Sequence, residues 1–239
     1  MTGTPDNSFG FRAVEPDERR ARIRRVFTGV APRYDLMNDL MSFGLHRLWK
    51  RWLVEAVAPQ PGQTIVDLAG GTGDVAVALA APDRCVTVCD PSTAMMLAGR
   101  DRVLPYVDWV AGEAEALPFA DNSLDSLTIS FGIRNVTRLR DALTEMHRVL
   151  KPGGKLFCLE FSKPHFWLAP AYNLFSFQVI PRLGALVANQ PEAYAYLVES
   201  IRRFPDQEEL ASLFREAGFA RVNYRNFSFG IVALHIGEK

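Results

Sequence analysis

The residues best placed to do chemistry cluster in Asp67-Leu68-Ala69-Gly70-Gly71-Thr72-Gly73-Asp74. Apolar runs flank this stretch on both sides, so it reads as strand, glycine turn and helix. Glycines in such a turn accept positive φ and let the backbone approach a ligand closely. The spacing is not the G-x-G-x-x-G of a dinucleotide turn. Asp74 stands where the helix should begin. A carboxylate there competes for the amides that a pyrophosphate would use, and repels its charge. Asp67 adds a second negative charge at the strand end. The turn therefore suits a ligand that carries an ammonium and no phosphate, and S-adenosylmethionine, with its α-amino group and sulfonium, is such a ligand. Its ribose needs an acceptor. Asp90 closes the next apolar run, 17 residues beyond Gly73, close to the separation of a ribose-binding acid. Asp67, Gly71, Gly73 and Asp90 are thus candidate cofactor residues, although Asp90 before Pro91-Ser92 could equally cap the next helix.

The elements that must position these residues alternate along the chain. Strands are expected at Thr64 to Leu68, Cys85 to Cys89 with Asp90 at the end, Val107 to Ala111, Ser126 to Ser130 and Lys155 to Glu160. Helices are expected between them at Val75 to Ala81, Ser92 to Arg102 and Leu139 to Leu150. This alternation implies βαβ units and a parallel sheet. A helix over Gln207 to Ala217, closed by Gly218, leads into strands Ala220 to Phe227 and Ile231 to Ile236, with a turn at Ser228 to Gly230. A terminal hairpin added to five parallel strands gives a seven-stranded mixed α/β sheet. Residues 1–16 read as a flexible N-terminus and 17–239 as a single domain. Helices at Pro16 to Phe27 and His46 to Val57 form a cap over 17–60, and 163–203 reads as a helical lid insertion.

Formal net charge is zero, which argues against nucleic acid as a partner. The three cysteines have no metal-ligand spacing, so neither a zinc site nor a disulfide framework is expected, consistent with a reducing cytosol. No secretory signal pattern or uninterrupted apolar span appears, so a cytoplasmic protein is expected.

Longer motifs narrow the reading. The turn, Gly112 to Phe119 and Arg148 to Gly154 resemble motifs of class I S-adenosylmethionine-dependent methyltransferases, with Ala69 at a position where glycine is commoner. Tyr34 to Trp49, Ser130-Phe131-Gly132-Ile133-Arg134-Asn135-Val136, and Arg148 to Lys151 continued through Glu160-Phe161-Ser162 closely resemble the quinone-biosynthesis C-methyltransferases, over nearly the whole chain. The resemblance implies a Rossmann-like fold with S-adenosylmethionine as methyl donor. Its acceptor would be a polyprenylated quinol of ubiquinone or menaquinone biosynthesis, either a methoxy-polyprenyl-benzoquinol or demethylmenaquinol. It carries cofactor contacts over to Thr72, Asp90, Glu113, Ala114 and Ser130, with Glu113 longer than the Asp or Asn of many relatives.

A quinol carbon becomes nucleophilic when its hydroxyl loses a proton. No metal is needed for this. Arg134 and Asn135 follow the fourth strand, at the sheet edge where ligands bind. Arg134 could stabilise a phenolate and is a poor base; Asn135 could hydrogen-bond a ring oxygen. The bland alternative pairs Arg134 with Asp141 or Glu145 on the surface and gives Asn135 a turn role. His46 has the ordinary pKa range of a general base, or packs between Phe43 and Trp49. Tyr34, Asp35 and Asn38 could line the pocket or fix the N-terminal helices. Phe166 to Leu168, Phe175 to Phe177 and Val179-Ile180 offer an apolar lid or tail groove, or are ordinary core helices. The basic run Arg19 to Arg25 reads as a solvated helix face. Contact with a membrane surface or a quinone-biosynthesis assembly, and a homodimer, stay open. So do other small-molecule acceptors and a non-catalytic, cofactor-binding scaffold.

Overall fold

A computed structural model describes residues 8–31, 38–39, 41–100, 106–179 and 191–239. Two short strands, β1 (Ser8–Phe9) and β2 (Arg12–Ala13), pair as a ribbon ahead of helices α1 (Pro16–Val30) and α2 (Leu45–Val57). Then come β3 (Thr64–Leu68), α3 (Asp74–Leu79), β4 (Cys85–Asp90), α4 (Thr93–Arg100) and β5 (Val107–Ala111). They are followed by β6 (Leu124–Ser130), α5 (Leu139–Val149) and β7 (Leu150–Phe161). Helices α6 (Ala169–Leu174), α7 (Pro191–Arg203) and α8 (Gln207–Glu216) precede β8 (Arg221–Phe227) and β9 (Val232–Glu238).

The main sheet has the order β5-β4-β3-β6-β7-β9-β8. Its first five members are parallel, and the last two form the expected antiparallel hairpin. Strand order reverses between β3 and β6. Loops leaving those two strands diverge there and open a crevice, the place where ligands bind in open α/β sheets. Asp67 and Leu68 pair with Thr128 and Ile129 across this point, so the glycine turn and the loop after Ser130 emerge side by side.

Two apolar layers hold the sheet. In α5, Leu139, Ala142, Leu143, Met146 and Val149 are buried, the stripe of an amphipathic helix. They pack with Leu127, Ile129 and Phe214 on one face. On the other, Trp49 and Leu53 of α2 meet Val75, Leu79 and Phe157.

The chain departs from the expectations at its ends. Paired structure begins at Ser8 rather than after residue 16, because Phe9 stacks on Tyr196 of α7 with ring centroids 4.2 Å apart. β7 starts at Leu150, five residues early, since Leu124 pairs there across a register shift. The insertion over 163–203 is helical at α6 and α7, with a π-turn at Phe175–Val179 between them; 180–190 lie outside the described residues.

Candidate active site

Two adjoining cavities open at the crevice. The first, about 120 Å³, lies between the glycine turn (Ala69, Gly71), Asp90-Pro91-Ser92, Glu113-Ala114-Glu115 and the underside of α1. The second, about 220 Å³, lies between α2 and the 172–201 region, and His46, Lys50, Arg134 and Phe161 reach its wall. Phe27, Phe131 and Asn135 line both.

The turn is tight. Ala69, Gly71 and Gly73 all have positive φ, at 50°, 57° and 81°. Gly71 faces the first cavity. Gly73 serves packing instead, for a Cβ there would stand 2.8 Å from the Trp109 ring. Asp90 fastens the turn to the next loop: its Oδ2 accepts from the Gly71 amide at 2.9 Å and its Oδ1 from the Ser92 amide at 2.7 Å. Each oxygen has a further lone pair to offer a ligand hydroxyl. Burial pushes the Asp90 carboxyl up, while the two amides oppose the shift. The capping alternative goes to Ser92, whose Oγ accepts from Met95 N at 3.4 Å.

Asp67 lies beneath the turn. Thr128 Oγ1 donates to its Oδ1 at 2.7 Å, while Oδ2 is buried without a hydrogen-bond partner among the described residues. Burial pushes this carboxyl up to about 7, against the Thr128 hydrogen bond. A buried acceptor with a vacant lone pair suits an ammonium, which restores its charge, though Asp67 lies beneath the turn and lines neither cavity.

Other expected cofactor residues divide. Glu113 and Ala114 line the first cavity. Glu113 stands 3.8 Å from Arg20 and 3.6 Å from Arg24, so α1 holds the residue expected to meet adenine. Thr72, Asp67, Gly73 and Ser130 are not on the cavity wall. Thr72 is buried under α4, where Gly99 allows close approach to its backbone. Ser130 is half-buried at the end of β6. Asp74 is not the bare charge that its position suggested: Lys50 Nζ lies 3.2 Å from its Oδ2.

In the second cavity Arg134 is inside, not on the surface. It is 6 % exposed, and its Nη1 meets Glu160 Oε1 at 2.8 Å, with Glu160 itself 1 % exposed. Asp141 and Glu145, the expected surface partners, pair with Arg138 and Arg148 at 3.1 and 2.7 Å. Glu160 also accepts the Arg134 and Phe161 amides at 3.3 and 2.9 Å. Burial raises its carboxyl and Arg134 opposes that. Its signal in the sequence was a lone acid ending a buried apolar strand.

Asn135 Oδ1 accepts from the Tyr196 hydroxyl at 3.0 Å. A second missed residue is Arg19. It is wholly buried and donates to the carbonyls of Ser8, Arg134, Asn135 and Val136 at 2.8, 3.0, 3.1 and 2.6 Å. The basic run is therefore not uniformly solvated; Arg24 and Arg25 are exposed and Arg19 is a clamp.

His46 reaches the cavity wall with Nδ1 3.3 Å from Ser42 Oγ and Nε2 3.5 Å from Asp39. Burial, then Lys50, pulls its pKa down to about 4, against the pull of Asp39. The near-neutral pKa expected of a general base is not met. Asn38 lines this cavity; Tyr34 and Asp35 lie outside the described residues.

The ubiE/COQ5 methyltransferase family model matches residues 15–239. The chain belongs to the ubiE/COQ5 methyltransferase family. A Rubrivivax gelatinosus member, ubiquinone/menaquinone biosynthesis C-methyltransferase UbiE, is 64% identical over 97% of this chain and 92% of its own length. The protein of the same description from Dinoroseobacter shibae is 51% identical, with both chains covered fully. Among solved structures, a Thermotoga maritima methyltransferase described as S-adenosylmethionine-dependent and a possible histamine N-methyltransferase has TM-score 0.64 at 24% identity. It covers 90% of this chain and 99% of its own. An Aquifex aeolicus S-adenosylmethionine-dependent methyltransferase has TM-score 0.56 at 17% identity, covering 79% and 88%. Those two likenesses establish the class I methyltransferase fold. For a ubiE/COQ5 member the methyl donor is S-adenosylmethionine, and the orphaned Asp67 oxygen and the Asp90 acceptor fit it.

Proposed function

We propose that this enzyme methylates a ring carbon of a polyprenylated quinol in ubiquinone or menaquinone biosynthesis, with the donor in the first cavity and the quinol ring in the second. The wall shared by the cavities at Phe27, Phe131 and Asn135 carries this reading. A methyl transfer needs donor and acceptor to meet in line at one point, and the two chambers meet there. S-adenosylmethionine, when bound, supplies a methyl group already activated by the sulfonium.

The chain's own residues do the rest. Asp90 holds the ribose, and Asp67 the α-ammonium. Glu113 and Ala114 border the adenine, Glu113 held by Arg20 and Arg24. Arg134 favours the phenolate form of the quinol by hydrogen bonding. Glu160 balances its charge and fixes its fork, so directed donation matters more than net charge. Asn135 orients a ring oxygen. His46, with its pKa near 4, stays neutral at pH 7 and is a hydrogen-bonding partner; the phenolic proton leaves to water before transfer. After it, the ring carbon that has gained the methyl group loses its own proton to water as the ring regains aromaticity. Labelled methyl transfer to short-tail demethylated benzoquinol and naphthoquinol tests this. Binding of S-adenosylhomocysteine without incorporation into either ring would refute it in favour of a scaffold.

The tail must leave the second cavity, whose wall includes Phe43 and Phe175, and further apolar side chains are exposed on the 166–174 and 229 segments. Phe43, 76 % exposed, packs on Phe175, with ring centroids 5.5 Å apart. Phe229 meets Trp167 at 5.2 Å, and Phe166 and Leu174 are exposed too. No helix among the described residues is long and apolar enough to cross a membrane. We read these exposed apolar side chains as seating the enzyme peripherally on the bilayer that holds the prenylated substrate. Phe166→Ser/Trp167→Ser should lower flotation with liposomes while leaving turnover of a short-tail quinol intact. Unchanged flotation would sink that assignment.

A further inference from the structure

We propose that Tyr196 is a positioning residue: it sets the Asn135 carboxamide so that the acceptor ring meets its N–H donors rather than its carbonyl. The inference rests on the second cavity holding the quinol ring. Asn135 lines both cavities and ends the short helical turn Ile133–Asn135. Its backbone is fixed at both polar groups. The N–H donates to the Gly132 carbonyl at 3.0 Å, and the C=O accepts from Arg19 Nη1 at 3.1 Å. The side chain is left to be set, and a carboxamide can turn either its oxygen or its NH₂ towards a ligand.

Tyr196 sets it. This residue of α7 is 5 % exposed and lines the second cavity. Its ring lies flat on Phe9, with centroids 4.2 Å apart and planes inclined by 11°, so the hydroxyl is held in place. Burial pushes the phenol pKa up; Arg19 and Arg134 oppose the shift and Glu160 adds to it. The hydroxyl therefore keeps its proton. It donates to Asn135 Oδ1 at 3.0 Å and makes no other hydrogen bond among the described residues. Turning the amide over would strand that buried proton without an acceptor, at the full desolvation cost of the group. The NH₂ is thus the end presented to the ring. N–H donation favours an ionised ring oxygen, whereas a carbonyl in its place would accept from the hydroxyl and favour the un-ionised quinol. Through Asn135, Tyr196 favours the form whose carbon is nucleophilic.

The test is a double-substitution cycle in the full chain, read by labelled methyl transfer from S-adenosylmethionine to a short-tail demethylated quinol. Tyr196→Phe keeps the stack on Phe9 and removes only the hydroxyl. It should lower kcat by about five- to tenfold, the weight of one hydrogen bond. KM and the affinity for S-adenosylhomocysteine should stay within about twofold, and the retained affinity reports the fold. Asn135→Ala should lower kcat at least as far. Tyr196→Phe/Asn135→Ala should then match Asn135→Ala within about twofold, because the hydroxyl acts through the amide. Asn135→Asp still accepts from Tyr196 but offers the ring no N–H, and should be as slow as Asn135→Ala. Losses that multiply in the double variant, a Tyr196→Phe loss that is absent or confined to KM, or an active Asn135→Asp would each overturn the assignment. Wild type that puts no label into the quinol would instead bring down the reading beneath it.

Discussion

Glu160→Gln is the most exacting test of the buried pair. The substitution keeps the side-chain shape and removes one acceptor and one charge. Glu160 Oε1 now accepts from Arg134 Nη1 at 2.8 Å and Phe161 N at 2.9 Å, and Oε2 accepts from Arg134 N at 3.3 Å. A carboxamide has one oxygen, so its NH₂ must face one of these donors. At 6 % and 1 % exposure, water has little room to repair the loss. Breaking a buried pair by removing one partner costs about 3–5 kcal/mol. For a domain of this size roughly 2–4 °C is lost per kcal/mol, so Tm should fall by about 6–20 °C. Scanning calorimetry at pH 7 measures this. A companion, Arg134→Met/Glu160→Leu, removes both charges and should regain most of that stability, yet methyl transfer should remain low because Arg134 is gone. A Glu160→Gln melt within about 2 °C of wild type, or a companion less stable than the single variant, would refute the reasoning. A companion with normal turnover would refute the role of Arg134.

Two further outcomes follow from the carboxylates. Asp90→Ala removes the acceptor of two turn amides and of the ribose hydroxyls; affinity for S-adenosylhomocysteine should drop by about 100-fold or more, and calorimetry showing unchanged affinity would contradict it. Asp67 has a folded pKa of about 7, raised from 3.8. A carboxyl raised by folding contributes its full stability below its unfolded pKa and loses it as pH rises through the folded value. Wild type should therefore lose more stability than Asp67→Asn between about pH 4 and pH 8, by denaturant unfolding, and parallel curves would disprove it.

Local features were legible in the sequence. The alternating apolar runs announced the sheet, and the glycine turn with Asp90 announced one cavity, because each is written in a few neighbouring residues. What escaped was chemistry completed across the fold. Glu160 is 26 residues from Arg134, and Arg19 reaches carbonyls more than 110 residues away; only the pairing of β6 with β7 and the return of α1 bring them together. Asp74 shows the same limit. Its charge was visible, but its neutralisation by Lys50 was not. His46 was expected near its ordinary pKa because burial, the largest cause of its shift, is a property of the packed chain. Ala69, the one irregular residue of the turn, holds φ 50° without being glycine, in the left-handed region that costs an alanine about 1–2 kcal/mol.

Arg19 has a mechanical consequence. Its helix, α1, supplies Ile23 to the wall of the first cavity and Phe27 to both. The same arginine grips the carbonyls of Arg134, Asn135 and Val136. Any displacement of α1 must pull on the segment that bears Arg134 and Asn135, or break these hydrogen bonds. One buried side chain thus ties the helix over the first cavity to the segment that lines the second.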